Sequence, residues 1–132
     1  MSITLLDGST ISATGGTSKA FSQDGRSISN GRIYSDAAEF DIRKRDYITL
    51  SNTPEKAVNG GTQYSKGRRI AKAHVHDVDS ASVPFEACNV SILVTKDVRC
   101  SAAKLSLAIN RATQLLFDSE LSNFNTVGTL PD

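Results

Sequence analysis

Glu86–Phe117 leaves this chain few folds to choose from. In Ala87-Cys88-Asn89-Val90-Ser91-Ile92-Leu93-Val94-Thr95, apolar and polar side chains alternate. Cys88, Val90, Ile92 and Val94 point one way, and Ala87, Asn89, Ser91, Leu93 and Thr95 the other. A period of two is that of a strand with one face on a core. Lys96–Cys100 is a charged connection, and Ser101 stands where a helix N-cap belongs. From there Leu105, Ala108, Ile109, Ala112, Leu115 and Leu116 recur at helical spacing, one apolar stripe on one face. A strand with a core to meet is therefore followed by a helix that needs one, and the polar strand face is left for function.

At 132 residues the chain has the length of one domain, 1–132, with room for a core and no need of staples. Its net charge of +1 hides an uneven distribution. Between Arg43 and His76, eight basic residues (Arg43, Lys44, Arg45, Lys56, Lys66, Arg68, Arg69, Lys72) face two acids, Asp46 and Glu55, a local net of +6. Such a segment is the footprint of an anion-binding surface, and equally of a solvated face. Cys88 sits on the core face of its strand and Cys100 at the helix entrance, too far apart for a bond without distortion. Both are read as reduced thiols, which suits folding in a cytosol-like compartment. No basic-then-apolar leader opens the chain, and no apolar run approaches the ~20 residues of a membrane span.

Along the chain, Ile3–Ala13 reads as a hairpin turning at Asp7-Gly8. Thr14–Asn30, rich in Ser, Gly and Thr, reads as a loop with a turn at Asp24-Gly25 and at most a weak strand around Ala20–Ser22. Short strands follow at Arg32–Ser35 and, as an option, Phe40–Arg43. Asp46–Asn52 is a strand with Ile48 and Leu50 on one face and Tyr47, Thr49 and Ser51 on the other. Thr53–Gly61 is a hairpin connection, and Thr62–Val78 the next long strand. There Ala71, Ala73 and Val75 share one face, while Arg68, Lys72, His74 and His76 share the other, with Ile70 as an apolar exception. Asp77–Phe85 is a loop with Pro84 near its end. After the long helix, Leu121 and Phe124 suggest a short second one. Strands first and helices last make an α+β chain with an antiparallel meander: sheet over 31–98, helices over 101–126.

No catalytic constellation emerges. Gly15-Gly16 and Gly60-Gly61 open no helix and precede no Gly-Lys-Ser/Thr, so they are turns rather than phosphate loops. His74 and His76 can bind a metal with Asp77 or Asp79 as a third ligand, but two histidines on an exposed strand are weak evidence for one, and no serine has a nucleophile-elbow context. The chain is read as neither an enzyme nor a carrier of metal or other cofactor. The basic, polar sheet face fits nucleic acid: Lys and Arg for phosphates, Asn, Ser and Thr for base edges and sugars, and Tyr47 for stacking. An ordinary solvated sheet face has the same composition. One long helix and a short follower are narrow cover for a sheet with a dry face, so a homodimer is inferred, through lent helices or edge-to-edge pairing of sheets. Its interface would use Leu105, Ile109, Ala112, Leu115 and Leu116.

The size, the Ile3–Ala13 hairpin, the meander ending in Arg68–Val78, loop and Ala87–Thr95, and the helix pair Ser101–Phe124 together resemble the levivirus-type coat proteins of single-stranded RNA bacteriophages. Tyr47–Pro54 and Gln63–Arg68 resemble the corresponding strands of divergent members. The resemblance implies an N-terminal hairpin, a five-stranded antiparallel sheet and two helices interlocked in a homodimer. It implies a capsid protein whose dimers form a T=3 icosahedral shell around genomic RNA, so that its place is the virion, assembled in the bacterial cytoplasm. It also implies that the inner sheet face binds an RNA stem-loop, as translational repressor and packaging signal reader. Carried onto this chain, RNA contacts fall on Thr49, Ser51, Lys72, His74, Asn89 and Ser91, with Tyr47 and Arg68 added from the face itself. Ala87 stands where well-studied members carry a stacking aromatic, and Ser91 where a carboxylate is common. Asp79, Ser80, Ala81, Ser82, Val83 and Pro84, at the tip of two long strands and without Lys or Arg, are expected to join dimer to dimer. The alternative from another class is a cellular dimeric RNA- or DNA-binding regulator that reads through a strand face.

Overall fold

Two long, regularly alternating segments pair over nearly their whole length, and the rest of the sheet is built out from them. The structure, a computed structural model, describes residues 3–6, 14–61, 63–118 and 121–130. Its strands are β1 (Ser22–Ile28), β2 (Gly31–Ser35), β3 (Tyr47–Thr53), β4 (Ala57–Val58), β5 (Gln63–Tyr64), β6 (Gly67–Val78) and β7 (Pro84–Lys96). Two helices follow, α1 (Ala102–Phe117) and α2 (Ser122–Val127). Thr17–Val98 forms one compact unit, and Met1–Gly16 with Arg99–Asp132 the other.

The first unit is a five-stranded antiparallel sheet in the order β1-β2-β3-β6-β7, with β4 and β5 as a separate two-stranded hairpin. The expected five-stranded meander is therefore present, spanning Ser22–Lys96 rather than 31–98. The difference lies in β1, where a loop was expected. Its Ser-rich sequence has little strand preference of its own, and pairing with β2 supplies it. Asp24-Gly25 is not a turn but an irregularity within β1, with Gly25 at φ 81°. The Asp24 carboxylate accepts from the Arg26 N–H at 2.9 Å and from Arg26 Nε at 2.7 Å, which holds the kink.

Phe40–Arg43 is not a strand. It has no partner strand among the described residues, and Ile42–Lys44 closes instead into a 3-10 turn whose Asp41 cap accepts from the Arg43 N–H at 3.0 Å. The expected strand Thr62–Val78 divides into β5 and β6. An Asn59-Gly60-Gly61 turn with both glycines at positive φ folds β4 onto β5. The loop after β6 is shorter than expected: Asp77 and Phe85 pair within the ladder, Pro84 opens β7 opposite Val78, and only 79–83 connect them.

In the second unit α1 runs as its spacing predicts. The Ser101 Oγ accepts from the Lys104 N–H at 3.3 Å at its start. Gln114 of α1 both donates to the Leu6 carbonyl (2.9 Å) and accepts from its N–H (2.7 Å), so one side chain imitates a strand pair. Asn125 of α2 donates to the Leu115 and Leu116 carbonyls (3.0 and 3.4 Å), satisfying acceptors at the end of α1. Gly128, in the left-handed region, ends α2 with its N–H on the Asn123 and Phe124 carbonyls. Residues 7–13, which carry most of the expected N-terminal hairpin, and Ser119 lie outside the described residues; Ile3–Leu6 are not in a strand.

Burial does not follow the expected division into dry and wet faces. Among the described residues only Ile33 and Leu121 are buried large apolar side chains. On the face expected to be dry, Val90 is 58% and Ile92 54% exposed. At Ile92 a groove of about 660 Å³ is lined by Ile28, Leu50, Ala71, Ile92 and Val94, with Arg32 and Arg69 among its polar side chains. Ile109, Leu115 and Leu116 of the α1 stripe are likewise exposed.

Candidate nucleic-acid interface

Register decides which side chains share a face, and here it arranges them in rows. Tyr47 pairs with His74, and His74 with Asn89. The next row is Thr49, Lys72 and Ser91. Ser51, Ile70 and Leu93 follow, then Thr53, Arg68 and Thr95. Strands about 4.8 Å apart and same-face residues about 7 Å apart along each strand make this a grid. It brings together all eight residues expected to contact RNA: Tyr47, Thr49, Ser51, Arg68, Lys72, His74, Asn89 and Ser91. Ile70 and Leu93 form an apolar band across the middle. The opposite face carries Ile48, Leu50, Ala71, Ala73, Val90 and Ile92.

Among the described residues neither Lys72 nor Arg68 has an ion-pair partner. Lys72 is half-buried in the centre of the face, between the hydroxyls of Thr49 and Ser91. A cation held by its neighbours with no carboxylate to neutralise it is suited to a phosphate.

At one end of the grid the chemistry differs. A register shift between Val75 and His76 leaves Ala87 as an extra residue in β7, so that His76 pairs with Glu86. Strict alternation would put Glu86 with Cys88 and Val90. The shift turns it to the His74 side, where its carboxylate accepts from His74 Nδ1 and from the Tyr47 hydroxyl at 3.4 Å. The bond from His74 holds the Glu86 carboxyl below the usual carboxylate range. Tyr47 stacks on His74, with ring centroids 4.0 Å apart and planes 15° apart, and His76 lies tilted beside it at 5.5 Å. The Arg26 guanidinium is 5.2 Å from the Tyr47 ring centre. Burial, then the Glu86 charge, pushes the phenol of Tyr47 up. The Asp46 carboxylate accepts from the His76 N–H at 2.8 Å.

Tyr47 was expected to be a surface for an unpaired base, yet His74 is already stacked on it. Glu86, Arg26 and Asp46 were missed. One signal was there to find: a carboxylate next in line on an otherwise apolar strand face breaks the pattern, and a bulge is the usual remedy.

The other expected groups also have definite places. In the hairpin tip Asp79 accepts through Oδ1 from the Ala81 and Val83 N–H groups, both at 2.9 Å, and through its carbonyl from Ser82, which has φ 60°. Asp79–Val83 is thus a built turn displaying Val83, and Pro84 belongs to β7. Leu105 of the α1 stripe is half-buried, whereas Ile109, Ala112, Leu115 and Leu116 are exposed. Both cysteines are free thiols.

No family model matches the sequence, and no curated protein matches it. Solved structures do. The chain is similar to that in the virus-like particle of bacteriophage GQ-907, with a TM-score of 0.86 and 25% identity over 96% of this chain and 95% of that one. It also resembles the virus-like particle chain of bacteriophage AVE019, at 0.59 and 10% identity over 91% and 93%. A third likeness, to the bacteriophage EMS014 coat protein, has a TM-score of 0.51 and 16% identity over 77% and 74%. The GQ-907 match spans sheet and helices alike and bears out the resemblance read from the sequence: this chain has the fold of bacteriophage coat and virus-like particle proteins.

Proposed function

We propose that the chain, acting as one coat-protein module over 1–132, forms homodimers that assemble into a T=3 icosahedral shell around genomic RNA. The observation that carries this reading is the whole-chain likeness to a virus-like particle protein. The uncovered surfaces of the single chain support the dimer. β7 is an edge strand of 13 residues whose outer edge has no partner strand among the described residues, a ready template for a second β7. The apolar groove around Leu50 and Ile92 matches in character the stripe of Ile109, Ala112, Leu115 and Leu116, so a second copy would lend its helices to it. Sheet pairing and helix exchange then cover both at once.

The grid centred on Lys72 would face inward and bind an RNA stem-loop, the basis of a translational-repressor and packaging role. Lys72 and Arg68 neutralise phosphates; Asn89, Ser91, Thr49 and Ser51 supply hydrogen bonds to base edges and sugars. The carboxylates of Glu86 and Asp46 at one end disfavour phosphate there and set a boundary to the RNA footprint. The place of the protein on this reading is the virion, after assembly in the host cytoplasm.

The test is to express the chain alone in bacteria and examine it by negative-stain microscopy and sedimentation. Closed shells that copurify with RNA and dissociate to dimers are the expected result. A stable folded monomer, or dimers that never close into particles and bind no RNA, would overturn the reading.

A further inference from the structure

The connection 36–46 between β2 and β3 is built inside out. Its polar groups are spent on one another. Asp36 is buried, pairs with Lys19 at 3.0 Å and accepts from the Ala38 N–H at 3.1 Å. Glu39 accepts through Oε1 from the Asp41 N–H (3.1 Å) and through its carbonyl from Arg45 Nε (2.7 Å). Asp41 accepts from the Arg43 N–H and pairs with the Arg43 guanidinium at 3.1 Å. The Asp36 N–H and the Asp46 carbonyl close the base at 2.9 Å. On this braced frame stand two large apolar side chains, Phe40 at 99% and Ile42 at 73% exposure.

We propose that this Phe40–Ile42 knuckle is a dimer-to-dimer contact, and that its occupant is a neighbouring copy of the same chain. The inference rests on the shell reading above. The knuckle lies at the end of the sheet where that reading already puts contacts. Its Ile42–Lys44 turn packs on β6 and β7. Glu39 and Lys44 also line a small polar pocket with Asp77 and Val78, just before the Asp79–Val83 tip. With exposed Val83 and Phe85 it puts four large apolar side chains at one end of the sheet. A rigid frame presents them without the ordering cost of a mobile loop. Charge does not favour RNA as the occupant. Phe40 is flanked by Glu39 and Asp41, and the four carboxylates of the connection (Asp36, Glu39, Asp41, Asp46) balance its three cations (Arg43, Lys44, Arg45) and Lys19, with Arg43 held by Asp41 and Lys19 by Asp36.

The test compares wild type with the Phe40→Ser, Ile42→Ser double variant at equal dimer concentration. The variant should sediment as the same dimer, unfold at the same temperature, and yield at least tenfold less protein in shells. Equal shell yield and equal shell stability would overturn the proposal while leaving the coat reading intact. Wild type that forms no particles would overturn the coat reading itself. Hydroxyl-radical labelling of wild-type Phe40 gives a second measurement that needs no variant. Labelling should fall at least threefold from dimers to shells emptied of RNA. Unchanged labelling, or protection found only in RNA-filled shells, would overturn the proposal, the latter by assigning the knuckle to RNA.

Discussion

Lys72 and Glu86 define opposite characters within one sheet face. Lys72 has two hydroxyl-bearing neighbours and no carboxylate, so Lys72→Ala should weaken binding to all RNAs alike and lower the salt dependence by about one phosphate's worth. Asn89 lies two strands from Tyr47 in the same row. Its amide can read a base edge, so Asn89→Ala should cost about 1–3 kcal/mol on a cognate hairpin and little on random RNA. Fluorescence anisotropy with dimers held below assembly conditions measures both. Glu86 makes a different prediction. Its folded-state pKa is lowered, chiefly by the bond from His74, so its contribution to stability is present above the ordinary carboxylate range and lost as pH falls through the folded value. Glu86→Gln should therefore flatten the fall in stability between neutral pH and about pH 3. Urea unfolding midpoints across that range check it. Asp24, Asp36 and Asp41, also lowered by their cationic partners, leave part of the slope in place.

Among the elements, the β1–β2 turn and the β6–β7 tip carry the sharpest consequences. Gly31 follows Asn30, which sits at φ 58°, and opens β2 directly against β3. A Cβ there would stand 2.3 Å from the Leu50 carbonyl oxygen, a backbone atom in the middle of the sheet. Gly31→Ala should cost about 1–3 kcal/mol, read as a lower urea midpoint. The Asp79–Val83 tip is held by one carboxylate that satisfies two N–H groups. Deleting Ser80–Ser82 should leave dimers intact and change or block shell formation. Particles of unchanged size and yield would remove the tip from assembly.

At the scale of the whole molecule, the sheet exposes Val90 and Ile92 on its apolar face, and the α1 stripe exposes Ile109 and Leu116. Ile109→Asp should abolish soluble dimer, because it puts a charge into an apolar interface at a cost on the order of several kcal/mol. Sedimentation of the purified variant decides it. A dimer that survives the substitution would mean that α1 does not enter the interface.

What the sequence determined by itself was whatever depends on local period and capping. The alternation of Arg68–Val78 and Ala87–Thr95 assigned the two faces of the long strands β6 and β7, and the apolar stripe with Ser101 before it delimited α1 at Ala102–Phe117. The polar grid was legible because two antiparallel strands with a known loop between them have few registers open to them. What tertiary structure decided was wherever a distant partner overrides local preference. β1 is a strand because β2 pairs with it, although its serines and glycine read as loop. Glu86 turned to His74 because the ladder slips by one residue at Ala87, a choice made by hydrogen bonds across the strand pair. Tyr47 met His74 by register, not by any motif. The largest difference, an apolar face left open, has the same origin: alternation tells which side chains seek cover, whereas the cover itself is a matter of which surfaces the folded chain can bring to them.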